Sequence, residues 1–222
     1  MQKILFTLLV LSLTTLSSLS AQETEGGTQR GIQIRAFAFA LFENIDTIEF
    51  RQNDRILGEI KLPTGQLKKG ISVKVREFSV GVTEGDEFRT LGNVKLPQTG
   101  RDFIIVFAPT KKGYRVFPVR TDDPEFRGND TYLFNFSTRR LGIALGTAKQ
   151  AVQPFKNAKL RPAFPSDATY YRALFAYESD GNYIPFNNSR WPVNSNTKAL
   201  VFVYEEPSTQ RLVYRSVTEL AQ

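Results

Sequence analysis

Tyr170, Tyr171, Tyr177, Tyr183, Phe186 and Trp191 crowd one stretch of the chain, with Arg172 and Arg190 among them. Such rings stack on the apolar faces of sugars, and guanidinium groups beside them bond acids and hydroxyls. Trp191 stands out because Asn187-Asn188-Ser189-Arg190-Trp191-Pro192 otherwise reads as a polar loop, and binding residues concentrate on loops carried by a rigid scaffold. The sequence therefore nominates Trp191, Arg190, Tyr183 and Tyr171 as a ligand-binding patch. The core competes for the same rings, since alternate aromatics fill the interior of a β-sheet protein and pair across its strands.

Carboxylates offer a second chemistry. Glycoside hydrolysis needs only two of them projecting into one cleft, and Glu178, Asp180, Glu205 and Glu206 are the candidates. All fall at predicted strand ends or turns, where charge is ordinary. The densest acidic run, Asp122, Asp123, Glu125 and Asp130, matches no EF-hand spacing and is stiffened by Pro124, so it reads as a solvated connection. Cysteine and histidine are both absent. Their absence removes Ser-His and Cys-His nucleophiles, the usual zinc sites and every disulfide. The expectation is a non-enzyme with no catalytic residues, no metal ligands and no cofactor.

The elements that must position these side chains alternate with period two, not 3.6. Across 222 residues, 41% hydrophobic and 23% charged, the composition is that of a globular protein. Phe103–Phe107 and Leu200–Tyr204 are apolar on both parities, which predicts central strands covered on both faces. Ile71, Val73 and Val75 share one parity and Phe78, Val80 and Val82 the other, a switch that predicts a β-bulge within one strand. Hairpins are expected at Gln52-Asn53-Asp54, Pro109–Gly113, Ser179-Asp180-Gly181-Asn182 and Pro207–Gln210, where the turn residues suit them. The best helical stretches are Ala144–Val152 and a short turn near Asp123–Phe126. Leu57-Gly58-Glu59-Ile60-Lys61-Leu62-Pro63 echoes Leu91-Gly92-Asn93-Val94-Lys95-Leu96-Pro97, which predicts two equivalent strand-plus-turn elements paired in one sheet. Strands at this spacing form sandwiches or barrels. The chain is expected to be all-β, as tandem immunoglobulin-like β-sandwiches over 31–121 and 131–222, joined through the polar segment Thr121–Asp130. One large β-sandwich is the alternative.

Residues 1–21 have one cation, an apolar run from Ile4 to Leu13 and a small-residue exit at Ala21, which is the pattern of a signal peptide. The expected location is the periplasm or the outside of the cell, with no membrane span in the mature chain. Lys and Arg total 29 against 22 Asp and Glu, a formal charge of +7. The basic pairs Lys68-Lys69, Lys111-Lys112 and Arg139-Arg140 are scattered and form no run, so nucleic acid is not an expected partner. Anionic envelope polymers suit this charge better.

Phe126-Arg127-Gly128, Tyr132-Leu133-Phe134-Asn135-Phe136-Ser137, Leu141-Gly142 and Leu145-Gly146 together resemble a stretch found in uncharacterised exported bacterial β-sandwich proteins. There a Phe-x-Gly turn leads into an aromatic strand ending Asn-x-Ser and then a hairpin back. The resemblance covers residues 126–146 and implies an exported all-β fold without implying an activity. The expected function is that of an exported, non-enzymatic β-sandwich binding or structural protein of the cell envelope or extracellular space. Its partner would be envelope polysaccharide or another exported protein. The alternatives are a carboxylate-based polysaccharide hydrolase and a strand-capture assembly chaperone or subunit.

Overall fold

The computed structural model describes residues 31–221; the expected signal peptide lies outside the described residues. Sixteen strands form four separate four-stranded sheets, and the described chain contains no helix. The N-terminal inner sheet has the order β4 (Ile71–Val73), β1 (Ile32–Ala38), β7 (Asp102–Thr110), β8 (Gly113–Arg120). The N-terminal outer sheet runs β3 (Arg55–Lys61), β2 (Thr47–Gln52), β5 (Glu77–Glu84), β6 (Glu87–Lys95). The C-terminal inner sheet runs β12 (Asn157–Leu160), β9 (Thr131–Asn135), β15 (Thr197–Glu205), β16 (Leu212–Leu220). The C-terminal outer sheet runs β11 (Ala148–Val152), β10 (Leu141–Leu145), β13 (Tyr170–Ser179), β14 (Asn182–Pro192). The fold is all-β, two β-sandwiches in tandem.

The second set of eight strands repeats the connectivity of the first. In each, the first strand pairs in parallel with the seventh, β1 with β7 and β9 with β15, while the other pairings are antiparallel. Each half also has the same bulge beside the same hairpin. Four pairs out from the turn, β6 carries one extra residue, Leu91, opposite Val80/Gly81, and β14 carries Phe186 opposite Phe175/Ala176. Phe37-Ala38-Phe39 at the end of β1 finds its counterpart in Phe134-Asn135-Phe136 at the end of β9, and Leu96-Pro97 in Trp191-Pro192.

Three cores lie between the four layers. Phe103, Ile105 and Phe107 point from β7 into the first core, where Ile48, Phe50 and Val80 of the outer sheet meet them. From the same strand Ile104, Val106 and Ala108 point the other way, into a middle core shared with Leu200, Phe202 and Tyr204 of β15. Val201 and Val203 of β15 complete a third core with Leu141, Ile143 and Phe175. The inner sheets are thus apolar on both faces because each is covered on both, as the two-sided runs implied. Aromatic rings dominate the middle core. Phe39 stacks on Tyr204 at 4.2 Å, Phe117 on Phe136 at 4.2 Å, and Phe37 on Phe202 at 5.8 Å. Each such ring contributes about 1.5–3 kcal/mol by leaving water.

Several local expectations are corrected. The parity switch after Val75 is no bulge; Ile71–Val73 and Glu77–Glu84 belong to different sheets, and the chain crosses between them. The true bulge in that region lies at Val80/Gly81. Ala144–Val152 is the β10–β11 hairpin, turned at Gly146 with φ +62°, and Asp123–Phe126 is a turn. The echoed Leu57–Lys61 and Leu91–Lys95 do share a sheet, as β3 and β6, but they occupy its opposite edges and are not paired. Nor do β9 and β10 form a hairpin. Asn135 and Ser137 build a turn that sends the chain from the inner to the outer sheet. The four expected hairpins are present.

Candidate functional site

Inward and outward parity on β13 decides which side chains are available. Tyr171, Ala173 and Phe175 are buried in the third core, so Tyr170, Arg172, Leu174 and Ala176 lie on the solvent face of the C-terminal outer sheet. Across the ladder Arg172 stands directly opposite Arg190, and Leu174 opposite Asn188. The Arg190 guanidinium sits 5.1 Å over the Tyr170 ring, which is 53% exposed. Arg172 Nε donates to Asn188 Oδ1 at 2.9 Å. Neither arginine has a carboxylate partner among the described residues. Two cations face to face on a strand pair repel each other, so this arrangement costs stability until an anion lies between them.

Beside them runs a shallow groove of about 420 Å³ floored by Gly142, Ala144, Ala151, Leu174 and Ala176 and flanked by Lys149 and Tyr183. Gly142 lets the Tyr183 ring lie flat against the sheet. A Cβ on it would stand 2.7 Å from the Tyr183 ring, which rests on the glycine at the hairpin end of the sheet. The groove therefore has a flat floor of small residues with a tyrosine at one end and the arginine pair near the other.

The equivalent face on the N-terminal outer sheet is chemically different. Phe88 rests on Gly81 as Tyr183 rests on Gly142, but the floor is charged and internally satisfied. Glu49, 9% exposed, accepts from Arg51 Nε at 2.9 Å and from the Thr83 hydroxyl, and Arg51 stacks on Phe88 at 4.3 Å. The Thr83 hydrogen bond, with help from Arg51 and against the cost of burial, holds the Glu49 carboxyl below its usual range. One outer face has its charges matched; the other leaves its cations open.

The nominated residues are not brought together. Arg190 and Tyr183 lie on the outward face, towards opposite ends of β14, while Tyr171 and Trp191 point inward, Trp191 against both Tyr171 and Phe175. Trp191 is not on a loop. Asn187–Pro192 continues β14, and Trp191 pairs with Tyr171 across the ladder. Alternating polar residues on an edge strand imitate a loop in sequence, because its outward and rim positions are wet. Burial pushes the Tyr171 hydroxyl above the usual phenol range, so it stays protonated. Tyr171 and Trp191 line a separate cleft of about 300 Å³ with Ser216 and Thr218.

The candidate acids are dispersed. Glu178 pairs with Arg140 at 2.9 Å, Glu205 accepts from Thr138 and Arg139, Glu206 accepts from Thr209, and Asp180 caps its own turn through Ser179. A cleft between the inner sheets, about 630 Å³, does hold Asp102 and Glu219, and Glu219 is ion-paired with Arg35. The carboxyls of Asp46, Glu49, Asp122 and Asp123, none of them among these candidates, are held below the usual carboxylate range by hydrogen bonds to neighbouring groups. The acidic run in the connection is also spread among cations. Asp122 binds Arg120 at 2.6 Å, Asp123 and Glu125 share Lys159, and Asp130, 5% exposed, takes both Nε and Nη2 of Arg161. Among the described residues there is no metal-holding cluster and no helix long and apolar enough to cross a membrane.

Compared with known proteins, the chain matches no family model and no curated protein. Sequence reasoning missed the groove floor and the hydroxyls of Ser216 and Thr218. The floor leaves no signal in one strand, since Gly142, Ala151 and Ala176 meet only through pairing. The hydroxyls did leave one. They share the parity of Tyr214, which packs on the third core, and polar residues at inward positions mark an opening.

Proposed function

We propose that this chain is an exported, non-enzymatic β-sandwich protein that binds an acidic polymer of the cell envelope on the solvent face of its C-terminal outer sheet. One observation carries the reading: Arg172 and Arg190 stand opposite each other on an exposed sheet with no carboxylate between them. Guanidinium groups bond carboxylate, sulfate or phosphate in a planar, bidentate manner, and Tyr170 and Asn188 hold these two in place. The flat groove beyond them offers an apolar strip for ring faces of the same polymer, ending at Tyr183. The formal charge of +7 favours the encounter.

Retention on immobilised polygalacturonate, compared with neutral dextran, tests this reading. Arg172→Ala with Arg190→Ala is expected to weaken polygalacturonate binding by about tenfold or more, the scale of two lost charge-assisted hydrogen bonds. Lys68→Ala with Lys69→Ala removes the same charge from exposed positions elsewhere and is expected to change binding little. Equal losses in the two variants would reduce the interaction to net charge and defeat the site.

A further inference from the structure

Repetition of one topology makes the halves comparable, and they differ at one edge. In the N-terminal sandwich β6 lies against β8: a Cβ on Gly92 would meet Val116 at 2.7 Å, and Leu96 is 1% exposed. In the C-terminal sandwich the corresponding strands, β14 and β16, stand apart. Trp191 takes the place of Leu96 and is only half-buried. Between the two C-terminal sheets this leaves the cleft of about 300 Å³, at the lower bound for small-ligand pockets.

Its walls are chemically specific. Trp191 and Tyr171 supply ring surface on one side, their centroids 6.4 Å apart and their planes at 62°. Ser216 and Thr218 face them with hydroxyls that make no hydrogen bond among the described residues. Asn129 and Asn194 also line the cleft. Their carbonyl oxygens accept from the backbone N–H groups of Asn194 (2.8 Å) and Asn196 (3.0 Å), so their NH₂ groups remain as donors. Lys198 reaches the lining but turns its ammonium to the Thr121 carbonyl at 2.9 Å. No carboxylate is present in the lining, so the cleft has no acid–base pair for cleavage.

We infer that this cleft is a subsite for one neutral sugar ring, stacked on Trp191, with its hydroxyls bonded by Ser216, Thr218 and the amides of Asn129 and Asn194. The inference is independent of the outer-face reading, because Trp191 and Arg190 project to opposite sides of β14. Apolar ring plus hydroxyl and amide donors is the combination that a pyranose satisfies and a purely apolar guest would leave unpaired.

Trp191 is the single tryptophan of the chain, so its emission reports occupancy directly. The full chain is titrated with D-glucose, D-galactose, D-mannose and N-acetyl-D-glucosamine to high millimolar concentration. A saturable change with at least one of them is expected. It should weaken about tenfold, the scale of lost hydrogen bonds to a bound hydroxyl, in Ser216→Ala with Thr218→Val. Both positions are exposed, and a urea midpoint equal to that of the parent certifies the variant as folded. Silence towards all four sugars, or an unchanged response in the folded variant, overturns the inference. Polygalacturonate retention on the same preparation tests the other reading: a chain that holds the polymer yet answers to no monosaccharide overturns the cleft alone.

Discussion

Asn135 shows how one polar side chain can fix a chain crossing. It is 1% exposed, and its amide donates to the carbonyls of Arg139 (2.7 Å), Val152 (3.3 Å) and Gln153 (3.0 Å), while its oxygen accepts from the N–H and hydroxyl of Ser137. The Asn-x-Ser triplet that matches a glycosylation pattern is therefore a buried turn with no room for a glycan. Asn135→Ala would remove these bonds together and leave the Ser137 N–H without its acceptor, and a loss of about 3 kcal/mol is expected in urea unfolding. A change under about 1 kcal/mol would mean that water replaces the amide. The same scale explains the arginine pair, since Arg172 and Arg190 lack what Glu49 gives Arg51.

Between the two sandwiches runs the segment from Thr121 to Asp130, held from both sides. Asp122 accepts from Arg120 Nε and from the Arg101 N–H, each at 2.6 Å, and Asp123 accepts from Lys159 of β12 at 3.0 Å. Burial raises the Asp122 pKa, but the Arg120 and Arg101 hydrogen bonds outweigh it, and the net shift is downward. For Asp123 the Lys159 hydrogen bond is the largest cause of a shift in the same direction. Depressed folded-state values mean that the unfolded chain takes up protons first on acidification. Stability from these groups is complete above the ordinary aspartate range, and it is lost as pH falls below about 4 towards their lower folded values. Urea midpoints measured from pH 7 down to pH 3 should fall, and Asp122→Asn should flatten that slope. An identical slope in the variant would locate the acid sensitivity elsewhere.

At the scale of the whole described chain, the middle core is the structural argument. Phe202 is fully buried there against Phe37, Phe39, Phe134 and Phe136. Phe202→Ala is expected to cost about 3–5 kcal/mol, a large part of the stability of an ordinary domain. Because Ile104, Val106 and Phe39 would be exposed if the sandwiches parted, the two halves are expected to unfold together. Trp191 emission reports the C-terminal half and far-ultraviolet circular dichroism reports all strands, and the two transitions should coincide. Separate midpoints in the parent chain would show that the middle core does not couple them.

The sequence alone determined the β class, the four hairpin turns and the inner position of β7 and β15. Each of these is written locally, in period-two alternation, in the φ > 0 residues Asn53 (52°) and Asp180 (51°), and in apolar runs with no wet parity. It did not give the duplication, whose halves share strand order and a bulge but few residues, because hydrogen-bonded pairing preserves register while side chains drift. Nor did it separate Arg190 from Trp191, since adjacent residues on a strand point to opposite faces and only the packed third core says which face is inside. The open edge between β14 and β16 was decided by tertiary structure for the same reason: a cleft is a distance between sheets, and no single strand encodes it.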